Sequence, residues 1–162
     1  MNVELNERTE VHVRTYFERT QDSQIQSMIP QTARTVEQAI ANFEKTLLPG
    51  ATSFGRTIYC DDVYVGDIWC YCINHEEEPN AMLSYCIFDK SLWGKGVATE
   101  ALSQFLSEIV PRFGLKTVGA FGYCSNKASL RVLEKNGFSC METFVEDGKE
   151  SAYYQKTVEE TP

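Results

Sequence analysis

Apolar positions along the chain change their spacing several times, and each change marks a different kind of element. Residues 35–47, TVEQAIANFEKTL, repeat them at Val36, Ala39, Ile40, Phe43 and Leu47, the spacing of one helix face, and Pro49-Gly50 stops the run. A looser stripe of Val11, Val13, Tyr16 and Phe17 predicts an earlier helix over about residues 9–19. From Phe54 the pattern turns to strands. FGRTIYC and VYVGDIWCYCI, on either side of Asp61-Asp62, predict a hairpin, and AMLSYCIF at 81–88 predicts a third antiparallel strand after the polar loop 74–80.

A helical face returns beyond Gly96 through Val97, Ala98, Ala101, Leu102, Phe105, Leu106, Ile109 and Val110, with its end expected at Pro111. KTVGAFGY, residues 116–123, reads as a strand. Strand, helix and strand make a crossover, which implies parallel neighbours. NKASLRVLEKNG predicts a second helix, with Asn126 as N-cap and Gly137 just past its end. FSCMETFV and SAYYQKTV, around Glu146-Asp147-Gly148, predict a closing hairpin. The chain has no repeat and no linker, so one α/β domain is expected over residues 1–158, followed by a polar tail at 159–162.

The stretch SLWGKGVATEAL, residues 91–102, sets Gly94 and Gly96 where a strand gives way to a long helix. Unpaired N–H groups and the positive end of the helix dipole gather at such a start, and glycine lets an anion approach the backbone without meeting a Cβ atom. An ordinary strand-to-helix turn would look the same. A Walker loop is excluded, because Val97 and Ala98 follow Gly96 where Lys and Ser or Thr are required. A dinucleotide fingerprint is excluded by Thr99 in place of its third glycine. Downstream, Lys127, Arg131 and Lys135 stack at intervals of four on one helix face, suited either to solvent or to a phosphorylated ligand.

Composition narrows the field further. The formal charge of -8 argues against nucleic acid, which needs a concentrated basic surface, and weakly favours a cationic substrate. No apolar run approaches the ~18 residues of a membrane span, and MNVELNERTE has no signal-peptide character, so a cytoplasmic protein without a membrane partner is expected. Its six cysteines include no C-x-x-C pair, and neither His12 nor His75 completes a metal-ligand spacing, so free buried thiols are expected. Nothing separates a monomer from a homodimer.

WGKGVATEAL, Trp93 to Leu102, followed by NKASLRVLEKNGF, Asn126 to Phe138, resembles the two cofactor motifs of the GNAT superfamily of N-acetyltransferases. The likeness is closest to the branch of ribosomal-protein N-terminal acetyltransferases, and is dense from about Ala81 to Phe138. It implies a mixed, mainly antiparallel sheet flanked by helices. It also implies acetyl-CoA as cosubstrate, without a metal. Its pyrophosphate would lie on the amides of Trp93, Gly94, Lys95, Gly96, Val97, Ala98 and Thr99, and its pantetheine beside the strand ending at Ile87 and Phe88. Asn126, Lys127, Ser129, Arg131 and Lys135 would complete that site.

Two positions depart from the pattern. Ser91 stands where the superfamily usually carries glutamine or arginine, which removes a side-chain contact to phosphate. Met82 stands where related strands often carry a glutamate that takes a proton through water.

An amine attacks a thioester only when neutral, so a proton must leave it, and the thiolate leaves better when protonated. Ser129 matches a serine thought to reach the CoA sulfur in this branch, or else it reinforces the Asn126 cap. Tyr85 and Tyr123 are alternative donors or core residues. Asp67 and the Glu76–Glu78 run offer carboxylates, although a solvated loop suits the glutamates better. Trp69 and Tyr71 line an acceptor pocket or fill the core. The expected activity is direct acetyl transfer to a primary amine of a small molecule or a protein N-terminus. The alternative is an acetyl-CoA-binding sensor that has lost turnover, which Met82 would suit.

Overall fold

A computed structural model describes residues 1–29 and 33–158, so the expected tail at 159–162 lies outside it. The elements run β1 (Val3–Asn6), α1 (Glu10–Arg19), α2 (Ser23–Met28), α3 (Val36–Lys45), β2 (Phe54–Cys60), β3 (Val63–Asn74), β4 (Asn80–Ile87), α4 (Val97–Phe113), β5 (Thr117–Tyr123), α5 (Lys127–Lys135), β6 (Ser139–Glu146) and β7 (Lys149–Thr157). A 3-10 turn, Lys90–Leu92, joins β4 to the glycines. The sheet is ordered β1-β2-β3-β4-β5-β7-β6, and β4 with β5 is its parallel pair. It is the mixed, mainly antiparallel sheet that the pattern implied.

Both hairpins turn on residue pairs with positive φ, Asp61 (49°) with Asp62 (66°) and Asp147 (51°) with Gly148 (75°). That backbone matches the right-handed twist of the flanking strands. Two elements were not foreseen. β1 is four half-polar residues, VELN, given strand form by pairing Val3 with Cys60 and Leu5 with Ile58 of β2. α2 is only six residues long with one buried side chain, Ile25, and is started by Asp22, whose carboxylate accepts from the amides of Gln24 and Ile25.

α4 passes the expected stop at Pro111 and ends at Gly114, which holds a left-handed φ of 63°. Proline there removes one hydrogen bond in the last turn, and the apolar face goes on regardless. Val97, Ala101, Leu102, Phe105 and Ile109 bury that face against Ile58, Ile68, Cys70 and Val118 of the sheet. Arg56 of β2 grips Glu108 of α4 through two bonds of 2.9 and 2.8 Å, which fixes the helix axially. All six cysteines are free thiols; Cys60, Cys70 and Cys86 are buried, while Cys72 and Cys140 are exposed and Cys124 is intermediate, so the expectation of burial fails for three.

What shapes the site is a break in the sheet. β4 and β5 pair only over Asn80↔Thr117, Ala81↔Val118 and Met82↔Gly119. Beyond that, Leu83 to Ile87 stay with β3 and Ala120 to Tyr123 stay with β7, so the two strands diverge. The β3–β4 side is drawn tight by Gly66, where a Cβ atom would come within 2.2 Å of the Cys86 carbonyl oxygen.

Candidate active site

The diverging strands open into a cleft of about 1000 Å³ that passes from one face of the sheet to the other. On the α4 and α5 face its wall is the glycine turn. Gly94 and Gly96 hold φ of 77° and 86°, and the space where a Cβ would stand is open at both. The turn engages two of its own amides, Trp93 N–H donating to the Lys90 carbonyl and Lys95 N–H to that of Leu92. Among the described residues no acceptor meets the amides of Gly94, Gly96, Val97, Ala98 or Thr99, and Gly96, the N-cap of α4, has no side chain to cap them. Five free donors at a helix start form a ready anion cradle.

α5 is held beside this turn by Asn136, whose side-chain amide donates to the Thr99 carbonyl at 3.2 Å. Arg131 and Lys135 line the cleft, whereas Lys127 and Lys95 do not. Ser91 donates its hydroxyl to Asp89 at 2.6 Å, so it organises the turn rather than facing the cleft. The Trp93 indole donates to the Ile87 carbonyl at 2.8 Å, pinning the turn to the end of β4.

Ser129, Tyr85, Tyr123, Tyr71, Ile87, Asn126, Trp93, Val97, Ala98 and Thr99 also line the cleft. Two of the alternatives raised by the sequence prove to be one unit. The Ser129 hydroxyl donates to the Tyr85 hydroxyl at 3.0 Å, and Tyr85 donates to the Ser129 carbonyl at 2.7 Å. Burial raises the Tyr85 pKa above the ordinary phenol value, so Tyr85 stays protonated. Asn126 caps Ser129 from below, its side-chain oxygen accepting from the Ser129 amide at 3.3 Å. Tyr123 lies under the Lys149 ammonium, 4.7 Å from ring centroid to nitrogen.

Asp67, Trp69 and Phe88 are not brought to the cleft. Asp67 is buried, with Arg8 Nε 2.9 Å from one carboxylate oxygen in an ion contact whose N–H does not align as a hydrogen bond, and Tyr64 donating to the other at 2.6 Å. Burial pushes its pKa up to about 6, outweighing Arg8 and Tyr64, which pull it down. Trp69 meets Tyr16 edge to face, and Phe88 packs against Tyr16 and Tyr64 with the Arg19 guanidinium over its ring. Glu76, Glu77 and Glu78 are exposed and likewise do not line the cleft.

Sequence reasoning missed the opposite mouth. Ile25 and Met28 of α2, Ile29 just after it, Phe121, Phe144, and Glu146, Asp147 and Lys149 of the last hairpin line it. The turn Glu146-Asp147-Gly148 was legible only as a turn. Cys86 also faces in, with burial pushing its thiol up to about 12, which makes it a neutral wall.

The sequence profile of the acetyltransferase (GNAT) domain family matches residues 2–139. The chain belongs to that family. As a member it is an acetyltransferase whose cosubstrate is acetyl-CoA. The solved structures agree on the fold. A ribosomal L7/L12 alpha-N-protein acetyltransferase in complex with coenzyme A superposes with a TM-score of 0.81 at 19% identity, covering 98% of this chain and 95% of that one. An aminoglycoside acetyltransferase in complex with coenzyme A gives 0.80 at 17%, covering 96% and 95%. The spermidine N-acetyltransferase from Vibrio cholerae, in complex with coenzyme A and spermine, gives 0.84 at 13%, with the same coverage of 96% and 95%. No curated protein is significantly similar to the chain in sequence. The residues of the acetyltransferase cleft suit the cosubstrate: free amides and cations suit phosphate, and an unpaired strand edge suits an extended amide-bearing chain.

Proposed function

We propose that this acetyltransferase moves acetyl from acetyl-CoA directly to a primary amine, with the amides of Gly94 and Gly96 to Thr99, together with Arg131 and Lys135, holding the phosphates. The observation that carries the reading is the juxtaposition of that cradle with the Ser129 hydroxyl in a single cleft between diverging strands. Acetyl-CoA supplies an activated acyl carbon. The chain's own residues align the amine with it and manage two protons. Ser129 presents a hydroxyl hydrogen that rotates from Tyr85 to a developing thiolate, while Tyr85 holds the backbone of α5 in place through the Ser129 carbonyl.

Among the described residues, no carboxylate stands at the inner end of the cleft to receive the proton from the amine. Met82 pairs with Gly119 where β4 and β5 part, and Asp67 is sealed with Arg8 and Tyr64. Water therefore takes that proton, and turnover should rise with pH as the neutral fraction of the amine grows, towards an alkylamine pKa of about 10. The same absence of a carboxylate supports the second reading, a sensor that binds acetyl-CoA without turnover. Thiol release from acetyl-CoA across a panel of amines, beside calorimetry of acetyl-CoA binding, separates them. Release that requires an amine supports transfer, and tight binding without release supports the sensor.

A further inference from the structure

Resting on the transfer reading above, we infer that the acceptor is a monoamine on an apolar, aromatic or alkyl body rather than a polyamine. Strand register carries the argument. Met82 pairs with Tyr71, Gly119 with Met82, Phe121 with Tyr153, and Phe144 with Ser151 and through it Tyr123, so these side chains share the face opposite α4 and α5. The Phe121 ring lies against the other two, edge to face with Phe144 at 5.9 Å and tilted on Tyr153 at 5.2 Å. Phe121 is nonetheless 53% exposed.

Phe121 and Phe144 thus form a shelf in the cleft, with Tyr153 packed against Phe121 outside its lining, and Ile25, Met28 and Ile29 form the wall across it. An amine bound for the inner end of the cleft from this face must lay its carbon body between shelf and wall. Apolar surface there is removed from water at a gain, and a flat ring gains the aromatic contact as well.

The charges at this mouth are few. Glu146, Asp147 and Lys149 line it, leaving a net charge of about one negative, and Lys149 is itself turned over the Tyr123 ring; Glu142, opposite Tyr153 on the same face, is exposed and does not line the cleft. One ammonium is matched at that entrance. Each further ammonium of a polyamine would lose water against Ile, Met and Phe side chains without a partner, which is unfavourable. The formal charge of -8 attracts any cation to the protein from a distance but does not choose among them at the site.

The test compares 2-phenylethylamine, spermidine and a hexapeptide with a free N-terminus by thiol release, and titrates the first by calorimetry into protein loaded with CoA. 2-Phenylethylamine is expected to exceed both others in kcat/KM by about tenfold or more, and Phe144→Ala and Phe121→Ala each to narrow its advantage over spermidine about tenfold without changing acetyl-CoA affinity. Spermidine or the peptide in first place overturns the inference and leaves the transfer reading standing. So does an equal loss for all three amines in both variants. Thiol release with none of the amines, despite tight acetyl-CoA binding, overturns the transfer reading instead. Calorimetry then still decides the shelf: binding weakened by Phe144→Ala sustains it, and no binding of 2-phenylethylamine ends it.

Discussion

The α4 and α5 side of the cleft is made of backbone and near-consecutive residues, whereas the opposite side is made of side chains gathered from α2, β3, β5 and β6. On the first side five free amides and two glycines lie within residues 94–99, a feature of backbone conformation rather than of side chains. On the second, Ile25 and Phe144 are 119 positions apart and line one cleft only because the sheet folds as it does. On the proposed reading, a cosubstrate common to many acceptors would be met by a rigid local motif, and the variable acceptor by long-range assembly.

Ser129 sits where the two sides join, and its removal should have the largest effect. Ser129→Ala is expected to lower kcat by about tenfold to a thousandfold with little change in acetyl-CoA affinity, the signature of an interaction made mainly in the transition state. Tyr85→Phe removes the acceptor of the Ser129 hydroxyl and leaves the Ser129 carbonyl without its donor, so a smaller loss of kcat is expected with some loss of stability. If Tyr85→Phe retains stability and loses more turnover than Ser129→Ala, the proton donor is Tyr85. Tyr123→Phe, beside them, is expected to keep kcat.

Gly96→Asp attacks the backbone side alone. Aspartate tolerates a left-handed φ better than most residues, so the fold should survive, but its carboxylate would stand at the anion cradle. Acetyl-CoA affinity should fall about a hundredfold or more by calorimetry while circular dichroism stays unchanged. Unchanged affinity in the folded variant would remove the cradle from the site. Gly96→Ala, which adds strain without charge, should fall between the two.

The same contrast explains what could be read in advance. α3, α4, α5 and the strands β2 to β5 and β7 carry apolar residues at a regular period because each buries a face, so their spacing records the core, whereas β6 fully buries no side chain and was legible through its hairpin turn. The parallel β4–β5 pair followed from the crossover, and both hairpins from their Asp-rich and Gly-rich turns. β1 and α2 are too short for a period to show, and each owes its form to a partner distant in sequence, Cys60 for Val3 and the Cys86–Phe88 cluster for Ile25. The glycine turn was legible because glycine at positive φ is a local necessity. Asp67 misled as a substrate contact for the opposite reason, since nothing near it in sequence announces Arg8.

Asp67 gives a pH test of whether the acceptor side contains a working carboxylate. Its folded-state pKa of about 6 lies above the ordinary 3.8, so the folded protein holds the proton more strongly than the unfolded chain does. Its contribution to stability is therefore greatest below about pH 4 and is lost as pH rises through 6. Relative to Asp67→Asn, which does not titrate, the wild type should lose several degrees of melting temperature between pH 4 and 7. The pH profile of kcat/KM should keep its shape in the variant. An acid-side limb, with activity falling as pH drops through about 6, that vanishes in Asp67→Asn would make Asp67 the base.

The basic face of α5 separates side chains that line the cleft from one that does not. Arg131→Gln and Lys135→Gln should each weaken CoA a few-fold more than dephospho-CoA, with the difference shrinking in added salt, and Lys127→Gln should weaken neither. An equal loss for both ligands would show that the stripe does not read the 3′-phosphate.

The smallest effect is expected at the tether between the two sides. Lys90, in the turn that precedes the glycines, pairs at 2.6 Å with Asp22, which also caps α2 and so positions Ile25 in the wall of the cleft. Both side chains are partly exposed, and such pairs are weakened by competing water and salt. Lys90→Gln keeps the Asp22 cap and removes only the ion pair. If the pair holds α2 at its distance from the cofactor turn, KM for the amine should rise two- to threefold at low ionic strength, and the rise should fade at 0.5 M salt. Acetyl-CoA affinity should not follow, because the free amides of the cradle are held by the Trp93 indole bond to β4 rather than by Lys90. A parallel change in both constants would place Lys90 among the phosphate contacts, and the two sides of the cleft would then share a residue that the present geometry assigns to their connection.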